Sequence, residues 1–333
     1  MNSGHRTAVT EQRPSGSGHR TAVTGHKPSD TSHRTPVIGQ EPSDRSDTMT
    51  EPVFHSQRDH VGDLVIPCVD VANGRATEPS RIAGLDDPGD VAAIVAAYAA
   101  GHARKVFLDV FDAWDAIDYL PPLLRDIKAS GVRPLVSVAH GDLPSVMHAG
   151  GLLEAGADAL SVSTSLIEKP GTVEAAVREW GAGRLMGVVN CRRTGPGRWG
   201  AFTHDGEKDA GVSAVDVAER LAELQVGAVL ANSIDREGTG DGFDLELLHA
   251  IAAASGLPVI ASGGCGTLDH LTEALAAGDA TYVLVNNMLH KGQYGIEEVR
   301  DHLLAHSSFS PSSRSSPSSP TSPPSPSSDD TAE

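Results

Sequence analysis

Between residues 61 and 306 the chain predicts an α/β fold, a single (β/α)8 barrel of the TIM type assembled from two half-barrels. Three observations lead there. Eight short apolar runs rich in Val, Ile and Leu alternate with amphipathic or Ala-rich segments, and strands apolar enough to be covered on both faces belong to a parallel sheet. The stretch that holds them is about 250 residues long, the usual size of one such barrel. The first four runs start 41, 28 and 26 residues apart and the last four 43, 30 and 24, so one spacing is used twice.

In chain order the strands are expected at Leu64 to Val69, Lys105 to Leu108, Arg133 to Val138, Ala159 to Val162, Leu185 to Val189, Ala228 to Ala231, Pro258 to Ala261 and Tyr282 to Val285. Each is too short for a helix and enriched in β-branched residues. Helices are expected over Pro88 to Ala100, Leu120 to Ala129, Ser145 to Ala155, Thr172 to Trp180, Ala214 to Leu224, Asp244 to Ala254, Leu268 to Ala277 and Ile296 to Ala305. The two halves also echo in residues: Gly156-Ala-Asp158 precedes the fourth strand and Gly278-Asp-Ala280 the eighth, while Gly74-Arg75 and Gly197-Arg198 follow the first and fifth.

The chemistry of such a barrel sits at the C-terminal ends of its strands. The seventh strand empties into Ser262-Gly263-Gly264-Cys265-Gly266, just ahead of a helix. Glycines let backbone N–H groups approach a phosphate and the helix dipole favours its charge; the alternative is a tight strand-to-helix turn. Asn286-Asn287 follow the eighth strand, Ala139-His140-Gly141 the third and Ser163-Thr164 the fourth, and Thr203 lies beyond the fifth. A polar, Gly-spaced loop with Glu237 and Gly238 follows the sixth and can close over a ligand. Side chains alternate along a strand, so if Asp70 points into the mouth Val69 faces the helices, and Asn190 points in while Cys191 does not. Asp109 is either a third mouth carboxylate or a structural cap.

Outside this region the composition changes. Ser3 to Thr10 recurs as Ser17 to Thr24 and, degraded, as Ser32 to Ile38, with His5, His19 and His33 setting a period of 14 residues. Such a repeat has almost nothing apolar to bury, so residues 1–60 are expected to be a disordered leader, and the Ser/Pro-rich residues 307–333 a disordered tail. Met49 is an alternative start. The net charge of −18 argues against nucleic acid and anionic membrane surfaces as partners. Cys68, Cys191 and Cys265 have no paired spacing, which suits a reducing, cytoplasmic setting better than disulfides or zinc. Neither a metal nor another cofactor is expected.

Several of these segments resemble the histidine-biosynthesis barrels, and among them the cyclase subunit of imidazole glycerol phosphate synthase. They are Ile66-Pro-Cys-Val-Asp-Val71 with Asn73-Gly74-Arg75, Phe107-Leu-Asp-Val110, Ser233-Ile-Asp-Arg-Glu-Gly-Thr239 with Asp241-Gly-Phe-Asp-Leu245, and Ile260-Ala-Ser-Gly-Gly-Cys-Gly266. The resemblance spans about Val61 to Leu304. It implies a duplicated half-barrel, a bisphosphate ligand held at two opposed phosphate sites, and ammonia delivered by a glutaminase. It further implies two opposed aspartates as acid and base.

The departures are specific. The first of those aspartates falls on Asp70, but the second falls on Asn190, and an amide exchanges no proton near neutral pH; general acid–base catalysis contributes roughly 100- to 10,000-fold. The family's lysine after the first strand falls on Glu78 and its first triple glycine on Val138 to Gly141. Its four charged ammonia-gate positions fall on Leu64, Arg104, Ala159 and Ala228, so a glutaminase partner is doubtful. Two expectations follow: a cyclase or lyase of altered activity that works through Asp70 on a phosphorylated ribosyl metabolite, or a diverged, non-cyclase relative that binds a phosphorylated metabolite in a specialised pathway or in regulation.

Overall fold

The computed structural model describes residues 52–54 and 61–306; the repeats before residue 52 and the Ser/Pro-rich residues 307–333 lie outside them. Eleven strands are present among the described residues: β1 (Val65–Ala72), β2 (Arg75–Ala76), β3 (Lys105–Val110), β4 (Arg133–Val138), β5 (Ala159–Val162), β6 (Leu185–Gly195), β7 (Arg198–Thr203), β8 (Lys208–Ser213), β9 (Ala228–Ser233), β10 (Val259–Ser262) and β11 (Tyr282–Val285). Eight of them pair in parallel around a closed ring, in the order β1-β3-β4-β5-β6-β9-β10-β11 and back to β1. Helices Val91–Ala100, Leu120–Ala129, Val146–Ala155, Pro170–Trp180, Ala214–Glu223, Leu245–Ser255, Leu268–Ala276 and Ile296–Ala305 lie in the connections. This is the (β/α)8 barrel expected.

Alternation along each strand divides the core in two. Val65, Val69 and Val71 of β1 belong to the large outer cluster packed by the helices, whereas Ile66 and Cys68 belong to the barrel interior. Every ring strand sends at least one side chain inward, among them Phe107, Leu135, Ala159, Met186, Leu230, Ile260 and Tyr282, so the barrel is filled below its mouth. Five of these eight helices start on side-chain caps: Asp90 accepts from Ala92 and Ala93, for example, and Ser213 forms a reciprocal capping box with Asp216. Such caps satisfy backbone donors that the helix leaves unpaired.

Two features were not anticipated. The fifth strand does not stop at Val189: β6 continues to Gly195 and turns back through β7 and β8, an antiparallel flap beside the mouth. Trp199 of β7 is buried and donates from Nε1 to Asp244 Oδ2 at 2.9 Å; Arg193 holds the same carboxylate at 2.8 and 3.0 Å and stacks over the Trp199 ring. Asp244 also caps helix Leu245–Ser255 through Leu247 N, so one buried carboxylate ties the flap to the barrel wall.

The second feature lies at residues 52–54, inside the segment 1–60 expected as a leader. Val53 and Phe54 are buried at the N-terminal ends of the strands, with the Phe54 ring edge-on to Tyr282 at 6.0 Å. Apolar side chains bury wherever a matching surface exists, and Gly227 makes room: a Cβ there would lie 2.7 Å from the Phe54 ring. Arg133 Nη1 donates to the Pro52 carbonyl at 2.9 Å. Close by, the buried Lys105 pairs with Asp63 at 3.1 Å and sits over the Tyr282 ring; desolvation lowers its pKa and Asp63 opposes that shift.

Candidate functional site

The C-terminal ends of the ring strands surround a cavity of about 490 Å3. Its lower wall is apolar, from Phe107, Val188, Leu230 and Leu284, and its rim is polar. β1 and β6 stand four places apart in the ring, so Asp70 and Asn190 face one another across it. Val69 and Cys191 turn outward into the helix-side core.

Asp70 is held from two sides: Asn286 Nδ2 donates to Oδ2 at 2.7 Å, and Cys68 Sγ lies 3.5 Å from Oδ1. Burial raises its pKa, while the Asn286 and Cys68 hydrogen bonds pull it down. Asp109 is the register partner of Asp70 on the next strand; burial, reinforced by the Asp70 charge, pushes it up to about 7. It lines the cavity, so of its two readings the mouth carboxylate is the one observed. On the far wall Asn232 Nδ2 donates to Asn190 Oδ1 at 2.8 Å and to Glu237 Oε1 at 2.5 Å. Burial raises the Glu237 pKa and the Asn232 bond opposes it. Asp205, on the turn between β7 and β8, adds a fourth carboxylate. Lys291 is the only Lys or Arg among the described lining residues.

The glycine loop is shaped by a neighbour as well as by any ligand. Gly263 and Gly264 have φ of +88° and +102°, a region that favours glycine. A Cβ on Gly263, Gly264 or Gly266 would lie 2.5, 2.3 or 2.4 Å from the carbonyl oxygens of Ser233, Gly242 and Gly240. The loop thus lies directly on the segment that follows β9, joined by Gly242 N to Gly264 O at 2.8 Å. Downstream, Thr267 caps helix Leu268–Ala276 and Gly266 N donates to His270 Nδ1 at 3.2 Å. That amide is already engaged within the protein.

Of the residues expected in the site, Asp70, Asn190, Ser163, Glu237, Gly238, Ser262, Gly263, Gly264, Gly266, Asn286 and Asn287 all line the cavity. Thr164 and Thr203, also expected there, are not among the lining residues. Thr164 is buried behind the wall, its hydroxyl donating to the His140 carbonyl and accepting from His204 N, both at 3.0 Å. Thr203 is equally buried on the inner side of the flap, where alternation along β7 puts it with Trp199 and Ala201. Lining residues not singled out from sequence include Phe111, Ser137, Asp205, Lys291 and Gln293. Asn232, which opens the polar loop expected after the sixth strand, continues the inward series of β9 and is the register partner of Asn190.

A family model described as histidine biosynthesis protein matches residues 64–295. The chain belongs to that family. The match opens just before β1 and closes ahead of the last helix, so the histidine-biosynthesis match contains all eight ring strands and every residue lining the cavity. It leaves out Val53 and Phe54, which cover the opposite end.

Proposed function

We infer that this member of the histidine-biosynthesis family is a cyclase- or lyase-type enzyme acting on a phosphorylated ribosyl metabolite, with Asp70 as its proton-transfer group. The observation that carries the reading is the pairing, in one cavity, of a half-buried carboxyl of raised pKa with a backbone glycine loop. A carboxyl whose pKa is moved toward neutrality both gives and takes a proton more readily at working pH. The phosphate is assigned to Ser262–Gly266 and the Asn286–Asn287 backbone, with Lys291 as the nearby cation. Asn190 contributes orientation: its carbonyl is occupied by Asn232, and an amide can donate or accept hydrogen bonds without exchanging a proton.

That same engaged Asn190 favours a second reading, a relative that binds a phosphorylated metabolite without turning it over. Calorimetry and turnover separate the two. Ribose 5-phosphate should bind and ribose should not, and Lys291→Met should weaken ribose 5-phosphate by about fivefold, the value of ~1 kcal/mol of Coulomb attraction screened by bulk water. With the family's bisphosphate substrate and ammonium as nitrogen source, the natural chain should turn over at least ~100-fold more slowly than a two-aspartate enzyme, and Asp70→Asn should abolish that rate. Binding without any turnover would support the non-catalytic relative.

A further inference from the structure

β4 and β10 also stand four places apart in the ring, so the turn after β4 faces the glycine loop across the cavity. This is the wall where the resemblance implies a second phosphate. Its backbone keeps a glycine-like course, since Ala139, His140 and Gly141 have φ of 46°, 60° and 68°. Donors flanking it, however, are engaged within the protein: Ser163 N donates to Gly141 O at 3.1 Å, Asp142 N to Ala139 O at 3.2 Å, and Leu143 N to the Ser165 hydroxyl. Its charges are also of the wrong sign for an anion. Asp205 Oδ2 is 4.0 Å from His140 Nδ1, and Asp109 lies on the adjoining strand end.

What the wall does offer is flat and apolar. The His140 imidazole and the Phe111 ring, both lining the cavity, stack at 6.1 Å between centroids and 24° between planes. Phe111 is 38% exposed, one of few large apolar side chains left open to solvent. Stacking on aromatic side chains tolerates any planar ring, and adjacent carboxylates favour rings that carry N–H donors or positive charge.

We propose that Phe111 and His140, with Asp205 beside them, seat a planar nitrogen heterocycle of the ligand, so that the cavity takes a heterocyclic ribosyl monophosphate in preference to a bisphosphate. This rests on the glycine loop holding the one phosphate.

Calorimetry on the full chain tests it with ribose 5-phosphate, AMP, aminoimidazole riboside 5′-phosphate, adenosine and ribulose 1,5-bisphosphate. One of the two ring-bearing monophosphates should bind at least ~10-fold more tightly than ribose 5-phosphate, the lower range of a single stacking contact. The bisphosphate should gain nothing over ribose 5-phosphate. Phe111→Ala should cancel the advantage of the ring while leaving ribose 5-phosphate unchanged. His140→Asn, which tolerates the left-handed backbone, should do the same. A bisphosphate that binds more tightly than both ring-bearing monophosphates, or a ring advantage that survives both substitutions, would overturn the proposal. Failure of ribose 5-phosphate to bind would remove the phosphate assignment instead; adenosine binding lost in Phe111→Ala would then still support the ring seat, and its absence would count against both.

Discussion

Burial and the neighbouring Asp70 hold the Asp109 carboxyl at about 7, whereas an unfolded chain releases that proton near pH ~4. Between these values the folded state binds the extra proton, so stability falls as pH rises through the window and the loss is complete above about 7. Asp109→Asn removes this penalty. Thermal melts should show the variant gaining at least ~1 kcal/mol over the natural chain at about pH 8, or about 2–4 °C, with no comparable gain at about pH 4; an equal effect at both would show that Asp109 ionises normally. Gly264 makes the opposite demand. A Cβ there meets the Gly242 carbonyl at 2.3 Å with φ at +102°, so Gly264→Ala should cost about 2–3 kcal/mol through strain and the displaced loop. Chemical denaturation measures it.

Among the elements, the ring strands were legible because each is a compact β-branched run bounded by turn residues, and only their ends moved by a few positions. The flap was not. β8 is mostly exposed and carries Lys208, Asp209 and Gly211, so it has no apolar alternation to betray a strand, and the Gly195-Pro-Gly197 turn reads as a loop. Asp70 and Asn190 followed from the period of two along a strand. Phe111, Asp205 and Lys291 did not, because only closure of the ring and folding of the flap bring distant segments to one rim. Thr164 lies off the cavity lining because its hydroxyl latches the His140 and His204 segments together, and Thr203 because it faces the inner side of the flap. Asp244→Ala tests the flap's anchor. It strands the buried Trp199 N–H, leaves Arg193 with Glu246 as its remaining carboxylate partner and removes a helix cap, so a loss of about 2–4 kcal/mol is expected, read from denaturation, with proteolysis opening first near β7.

For the molecule as a whole, the two ends of the barrel are treated differently. Polar side chains, an open cavity and a flap occupy the C-terminal end; Phe54, Val53 and the buried Lys105–Asp63 pair occupy the other. Phe54→Ala should cost about 2–4 kcal/mol, toward the lower part of the range for buried phenylalanines because the ring lies at the edge of the core. Ligand affinity at the mouth should stay unchanged, which calorimetry with ribose 5-phosphate checks. The barrel, filled below its mouth by side chains from every ring strand, is a cup and not a pipe. Traffic through a cup is one-way in at the brim and one-way out at the same brim, so a small nucleophile has to be inside before a larger molecule settles over it. On the proposed ammonium-dependent reading, steady-state kinetics should therefore be ordered, with the larger substrate becoming inhibitory when added in excess, and Phe54→Ala, which leaves the packed interior in place, should not relax that inhibition.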